Sequence, residues 1–229
     1  MHEMNLTLAG RTVAVRVRRH ARARRLRLRV RENGAVELTV PPRCGRRQAE
    51  AFILDSRDWL ASQLAAIKPL ERPDRIELPA VGRHFAVSYR PDSPSGVREA
   101  HGHLSVNGDD WRELLLRWLQ RAGRRYLPGQ LATVSREVGL AYNKVTIRGQ
   151  KTRWGSCSAA ANINLNYRLL FLPPELVRYL YVHELCHTVH LNHSPEYWAL
   201  VARKAPDFRE MDRRLRRAGS LVPRWAVPD

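Results

Sequence analysis

Near the start of the chain, apolar residues fall at every second position. Val13, Val15 and Val17 alternate with Arg16 and Arg18, and Leu26, Leu28 and Val30 alternate with Arg25, Arg27, Arg29 and Arg31. A period of two separates the side chains onto two faces of an extended strand, so both runs predict strands with one apolar and one arginine face. A third run, Ala35 to Val40, follows Asn33-Gly34, a pair suited to a tight turn, and predicts a hairpin. After Pro41-Pro42 the period lengthens: Ala49, Phe52, Ile53, Leu60, Leu64 and Ile67 sit at helical spacing over residues 46–67. Pro69, Pro73 and Pro79 punctuate the next stretch, and short strands are expected at residues 83–90 and 103–106, separated by the turn-rich PDSPSG. The first hundred or so residues therefore predict a mixed portion with a largely antiparallel sheet and one helix.

Helical patterning dominates the second half. Asp109-Asp110 opens a helix over residues 111–126, Pro128 is expected to break or kink it, and residues 131–138 resume it. Residues 144–147 predict a short strand, and the alternation in Asn162-Ile163-Asn164-Leu165-Asn166 a half-exposed one. Between them lies Lys151-Thr152-Arg153-Trp154-Gly155-Ser156-Cys157-Ser158, too polar and turn-prone for a core element. Pro173-Pro174-Glu175 starts a helix that runs through Leu176, Val177, Leu180 and Tyr181 into VHELCHTVHLNH, residues 182–193. Ser194-Pro195-Glu196 starts another, and residues 207–217 a third that is strongly basic at its end. The fold class expected is α+β, divided as an N-terminal portion over residues 1–105 and a catalytic domain over residues 106–229, or the two packed as one continuous unit.

Composition adds charge to this picture. An apolar fraction of 44% with 27% charged residues belongs to a folded globular protein. The net charge is +18, and 36 of the 40 basic residues are arginine. Such an excess attracts nucleic acid and other polyanions without reading their sequence, although an arginine-rich solvated surface accounts for most of it. The opening MHEMNLTLAG is not a secretory signal, and the longest apolar stretches are far short of a membrane span, so a soluble cytoplasmic protein is expected. Cys44, Cys157 and Cys186, an odd number at unrelated spacings, predict buried free thiols and argue against a disulfide framework or a zinc ribbon.

The chemistry concentrates in residues 182–193. On a helix His183 and His187 are one turn apart on one face and can converge on a metal ion, while Glu184 can reach a water held there. Zinc lowers the pKa of such a water toward neutrality, and the glutamate takes its proton. Ligand type does not separate zinc from manganese, nickel or cobalt. A buried helix carries leucine rather than two histidines and a glutamate unless the polar groups have partners. Catalytic zinc takes three protein ligands, and His193, past the helix end, is favoured as the third. Glu210 is the main rival, and His190 lies about two turns from His183, too far along the axis to close a tetrahedron.

Three segments together, RGQKTRWGSCS (residues 148–158), NINLNYRLLFLP (162–173) and YVHELCHTVHLNHSPEYW (181–198), resemble the YgjP-like metallopeptidases, a family also described as a domain of unknown function and related to the SprT-like and WLM zinc peptidases. The resemblance is close over the C-terminal half and extends to the N-terminal half only in the order of strands and a helix. It implies a zincin-like fold with an active-site helix, a small sheet whose edge strand faces the cleft, and His183, Glu184, His187 and His193 as the site. The metzincin pattern wants glycine three residues after the second histidine, where this chain has His190. The resemblance also puts the polar loop beside the metal. There Arg153 would stabilise an oxyanion or hold a substrate anion, Tyr197 would donate to it, residues 162–166 would be the edge strand to which a peptide adds, and Trp154 and Trp198 would pack around the site.

Three functions compete. The first is a metallopeptidase holding one Zn2+, with a peptide or protein substrate. The second is a metal-dependent hydrolase of a nucleotide or other phosphate ester, against which no run of acidic ligands suggests a two-metal site. The third is a nucleic-acid-associated protein with a structural metal, which would leave Glu184 without a task. Arginine faces that hold a polyanion while the zinc site cuts protein would combine two of them. No membrane partner is expected.

Overall fold

The computed structural model describes residues 2–8, 11–31, 34–66 and 70–227. The chain divides into two compact units, Met1–Glu71 and Arg72–Pro228. In the first, strands β1 (His2–Leu8), β2 (Arg11–Arg19), β3 (Arg27–Val30) and β4 (Val36–Val40) form one sheet in the order β1-β2-β4-β3. The alternation in the sequence becomes two faces. Val15, Val36, Leu38 and Val40 are buried in a core shared with Ala49, Ile53 and Leu60 of the next two helices. On the other face Arg16, Glu37 and Arg29 stand in one row across three strands, and Arg18, Thr39 and Arg27 in the next. Those four arginines are exposed, and the only acid among the six residues, Glu37, is bonded to Arg31 at 2.6 Å. Asn33, expected in the hairpin turn, and Ile67 and Pro69 lie outside the described residues.

Helical spacing over residues 46–67 predicts one helix, and the structure has two, α1 (Arg46–Asp55) and α2 (Arg57–Ala66). Ser56 separates them: its hydroxyl donates to the Phe52 carbonyl at 2.8 Å, a local bond that competes with the helical ladder. The expected antiparallel sheet is mixed, because β2 pairs β4 in parallel. Strand β1, where Met4, Leu6 and Leu8 alternate with Asn5 and Thr7, is not among the expected elements.

The second unit begins with a sheet of the same plan. Strands β5 (Arg75–Leu78), β6 (Arg83–Arg90), β7 (Gly96–Ala100) and β8 (His103–Asn107) are ordered β5-β6-β8-β7, again with a parallel central pair. Its buried residues Ile76, Leu78, Phe85, Leu104 and Val106 share one core with Leu115, Trp118 and Leu119 of helix α3 (Trp111–Val138). Phe85 meets Trp118 edge-on at 5.2 Å. The division of the chain therefore falls after residue 71 and not after residue 105, because the strands of residues 75–107 bury their apolar face with the C-terminal elements.

Helix α3 runs unbroken through Pro128. The proline forfeits one ladder bond, but Leu127 and Leu131 beside it are fully buried, and packing outweighs the local cost. A three-stranded sheet comes next, β9 (Lys144–Arg148), β10 (Gly155–Cys157) and β11 (Asn162–Asn166), in the order β10-β11-β9. β11 is its centre, so the expectation of residues 162–166 as the edge strand is corrected: β9 pairs β11 in parallel, and β10 is an edge. Helices α4 (Pro174–Cys186), α5 (Pro195–Lys204) and α6 (Phe208–Arg217) complete an α+β chain. Among the described residues no helix is long and apolar enough to cross a membrane.

Candidate active site

Helix α4 starts on two prolines and an acid, and Leu176, Val177, Leu180, Tyr181, Val182 and Leu185 bury it in the core. Burial on most sides makes its polar residues expensive unless they are used. The helix ends at Cys186, earlier than the pattern suggests, and His187 is its C-cap. The chain continues as a turn in which His190 N donates to the Cys186 carbonyl at 3.0 Å. Ser194 then caps α5, accepting from Tyr197 N at 3.4 Å.

This turn returns His193 to the helix. Ligand atoms of His183, His187 and His193 all lie within 4.8 Å of one another, and His193 Nε2 is 3.4 Å from His183 Nε2. Zinc–imidazole bonds of about 2.0–2.1 Å in a tetrahedron place neighbouring nitrogens roughly 3.3–3.4 Å apart. Nδ1 of His187 donates to the His190 carbonyl at 3.0 Å, which leaves Nε2 as a lone-pair donor, the usual way a second bond orients a metal-binding imidazole. Burial, reinforced by His187 and His193, pushes His183 down to about 3, so its imidazole is neutral at physiological pH, as a metal ligand must be. The donor set fits a divalent metal such as zinc.

Glu184 follows His183 on α4, and its charge is felt at Tyr197, which stacks on His187. It is 4% exposed, its Oε2 is buried without a hydrogen-bond partner, and burial pushes its carboxyl up to about 8, against the opposing pull of Arg153. Edge strand β10 runs directly against it. A Cβ on Gly155 would collide with Glu184 Oε1 and come within 2.9 Å of Cδ and Cγ, so only glycine lets the strand pass the carboxylate this closely. The arrangement can bind a divalent cation and pass a proton to and from a carboxylate at its side.

The surroundings sort the other candidates. Tyr197 is fully buried, stacks on His187 at 4.4 Å and 19°, and donates to the His183 carbonyl at 3.1 Å. Its hydroxyl is thus engaged with main chain. Arg153 is exposed and its charge is felt at Glu184. Trp198 stacks on His193 at 5.5 Å, and Trp154 Nε1 donates to the Leu215 carbonyl at 3.3 Å. His190 contributes its main-chain carbonyl, and Glu210 is exposed on α6 and stands outside the histidine cluster among the described residues. Cys44 and Cys186 are buried and Cys157 half-buried, all as free thiols.

Gly155 and Asp212 carry parts of the site that no pattern in the sequence singles out. Asp212, on α6, accepts from Tyr179 Oη at 3.4 Å and from Arg216 Nε at 2.8 Å, and its charge acts on His183 against burial. Its only signal in the sequence is a position one turn before Arg216.

Comparison with known proteins agrees in kind. The family profile described as YgjP-like, metallopeptidase domain, matches residues 24–218. No curated protein matches. Among solved structures, the metallopeptidase zymogen of Pyrococcus abyssi abylysin is 25% identical over 39% of this chain and 90% of that one, with a TM-score of 0.35, a likeness that adds nothing to the fold described above.

Proposed function

The chain belongs to the YgjP-like metallopeptidase family, and from that premise we propose that it is a zinc-dependent peptidase in which Glu184 is the general base. One observation carries this reading: a buried carboxylate with an unpartnered oxygen directly follows the first of three converging imidazoles in the chain. His183, His187 and His193 would hold one Zn2+, which supplies Lewis acidity and makes water acidic when bound. Glu184 takes the proton of the attacking water on its free oxygen and hands it to the leaving amine. Burial raises its carboxyl in the metal-free protein, and the charge of a bound Zn2+ would favour the ionised form that a base needs.

Substrate enters as an extended peptide or protein segment along β10, the strand edge beside Glu184. Tyr197 is a positioning residue: it fixes the backbone of His183 and the ring plane of His187. Arg153 balances negative charge at Glu184 and at the substrate. The arginine face of β2, β3 and β4 is the surface on which a polyanion would settle.

A second reading, hydrolysis of a nucleotide or other phosphate ester, draws support from the cations Lys151, Arg153, Arg168 and Arg216, which line one pocket. One comparison separates the two. Wild type and Glu184→Gln are assayed for zinc content and for cleavage of mixed peptides and nucleoside triphosphates. The variant is expected to retain zinc and to lose peptide cleavage by about 10²–10⁴-fold, the usual worth of a general base. Undiminished cleavage in the variant sinks the mechanism, and phosphate release without peptide cleavage by wild type favours the second reading.

A further inference from the structure

Beside the metal centre lies a pocket of opposite character. It has a volume of about 240 Å³, and Lys151, Arg153, Trp154, Asn166, Arg168 and Arg216 are among its walls. Its floor is unusual. Arg168 is 5% exposed, yet among the described residues no carboxylate pairs with it. It donates through Nε to Asn166 Oδ1 at 3.2 Å and through Nη2 to the Gln150 carbonyl. Two neutral acceptors orient the guanidinium without cancelling its charge, and a buried charge left uncancelled is costly. Lys151 and Arg153 form no salt bridge among the described residues, and Arg216 pairs there with Asp212 alone.

The pocket is built rather than incidental. Asn166 is 1% exposed, and its Nδ2 donates to the carbonyls of Gln150 at 2.8 Å and Arg153 at 2.9 Å. One buried amide thus ties the loop that carries Lys151 and Arg153 to the strand that precedes Arg168. Trp154 forms a wall held by its bond to Leu215. The volume is smaller than that of a typical drug-sized site, and suits a compact anion, whose oxygens would bring the carboxylate-like acceptors that Arg168 lacks. The pocket also borders the chemistry. Gly155, two residues past Arg153, touches Glu184, while the charge of Arg153 reaches Glu184 and that of Arg216 reaches His183.

We propose that this pocket is an oxyanion subsite: Arg168 at its floor and Lys151, Arg153 and Arg216 at its walls capture a carboxylate or phosphate on the substrate and so select substrates that carry one near the bond to be cut. The proposal rests on the reading of His183, Glu184, His187 and His193 as a hydrolytic centre. A loop brace alone would account for Arg168 but would need no unpaired cations around it.

The test uses the zinc-loaded full chain and matched peptide pairs: a free C-terminal carboxylate against its amide, internal glutamate against glutamine, and phosphoserine against serine. In at least one pair the anionic member is expected to be cleaved with kcat/KM about tenfold or more higher, chiefly through KM, the order of one charge-assisted bond. The pair that shows the preference identifies the anion. Lys151→Gln with Arg153→Gln, both at exposed positions, should bring that ratio to within about twofold, and Arg168→Lys should leave an intermediate one. Equal rates within every pair for wild type, or a preference unchanged in the double variant, overturn the subsite. Calorimetric titration with inorganic phosphate, wild type against double variant and both zinc-loaded, reads the pocket without turnover. Should wild type cleave no peptide, the peptidase reading falls and this titration decides alone: about tenfold weaker phosphate binding in the variant supports the subsite, and equal binding overturns it.

Discussion

The two four-stranded sheets of this chain share a topology and differ in what they serve. Both have a parallel central pair flanked by antiparallel edges, in the orders β1-β2-β4-β3 and β5-β6-β8-β7. The first buries Val15, Leu38 and Val40 in a core of its own and turns Arg16, Arg18, Arg27 and Arg29 outward. The second buries Leu104 and Val106 in the core that also holds helix α4. Across its outer face Ser88 and His103 bond at 2.8 Å, and Ser105 donates to Asn107 at 3.1 Å. One backbone plan thus yields a cationic surface in one place and a support for the helix of His183 and Glu184 in the other. The difference lies in the side chains at alternate positions and in which helices share the core.

Substitutions at matching places sharpen this contrast most. Leu38→Ala and Leu104→Ala each remove a fully buried side chain and should each cost about 2–5 kcal/mol. Calorimetry together with peptide cleavage should show Leu38→Ala lowering one unfolding transition while activity holds, and Leu104→Ala lowering stability and activity together. Activity lost in both would mean that the units do not unfold separately. Next in size is Gly155→Ala, which drives a methyl into Glu184. A displacement of that order costs about 100-fold in kcat, and Gly34→Ala in the first unit should leave kcat unchanged.

pH gives a smaller effect, seen in protein freed of metal by a chelator. Burial holds the Glu184 carboxyl up at about 8 against an ordinary 4.5, so between those values the native state keeps a proton the unfolded chain has lost, and stability falls as pH rises. His183, held down at about 3 against 6.5, acts oppositely: between those values the unfolded chain binds the extra proton, so stability falls as pH drops. The two offset each other where they overlap, from 4.5 to 6.5. From pH 6.5 to 8 the glutamate acts alone, and denaturant titrations should show a loss of about 2 kcal/mol that Glu184→Gln abolishes. The first unit has the reverse case, since Arg31 holds Glu37 below its ordinary range. Smallest of all, Arg29→Ser should reduce the salt dependence of DNA binding by about one ion and leave peptide cleavage untouched. Arg98→Ser, on the outer face of the second sheet, should change neither.

What could be read in advance was local. The four-residue spacing of His183 and His187 and the strand alternation in β2 and β3 depend on neighbours in sequence, and the structure places them on one helix face and one sheet face. What escaped was set by distant partners. The boundary moved because Leu104 shares a core with Leu115, and β11 became central because β9 arrives to pair with it in parallel. Pro128 stays helical for the sake of Leu127 and Leu131. The contact of Gly155 with Glu184 joins a loop-like sequence to a helix, and the burial of Arg168 shows in no periodicity, since its environment is assembled from Gln150 and Asn166.

His183 and His193 belong to different parts of the chain, one within α4 and the other just ahead of α5. An ion gripped by both is therefore a cross-link as well as a reagent. It closes a loop whose ends are ten residues apart, and closure of that length removes about 2–3 kcal/mol of chain entropy from the unfolded ensemble. On the proposed ligation the ion itself would tie down the turn that delivers His193, so that loading the site and fastening the start of α5 would be a single event.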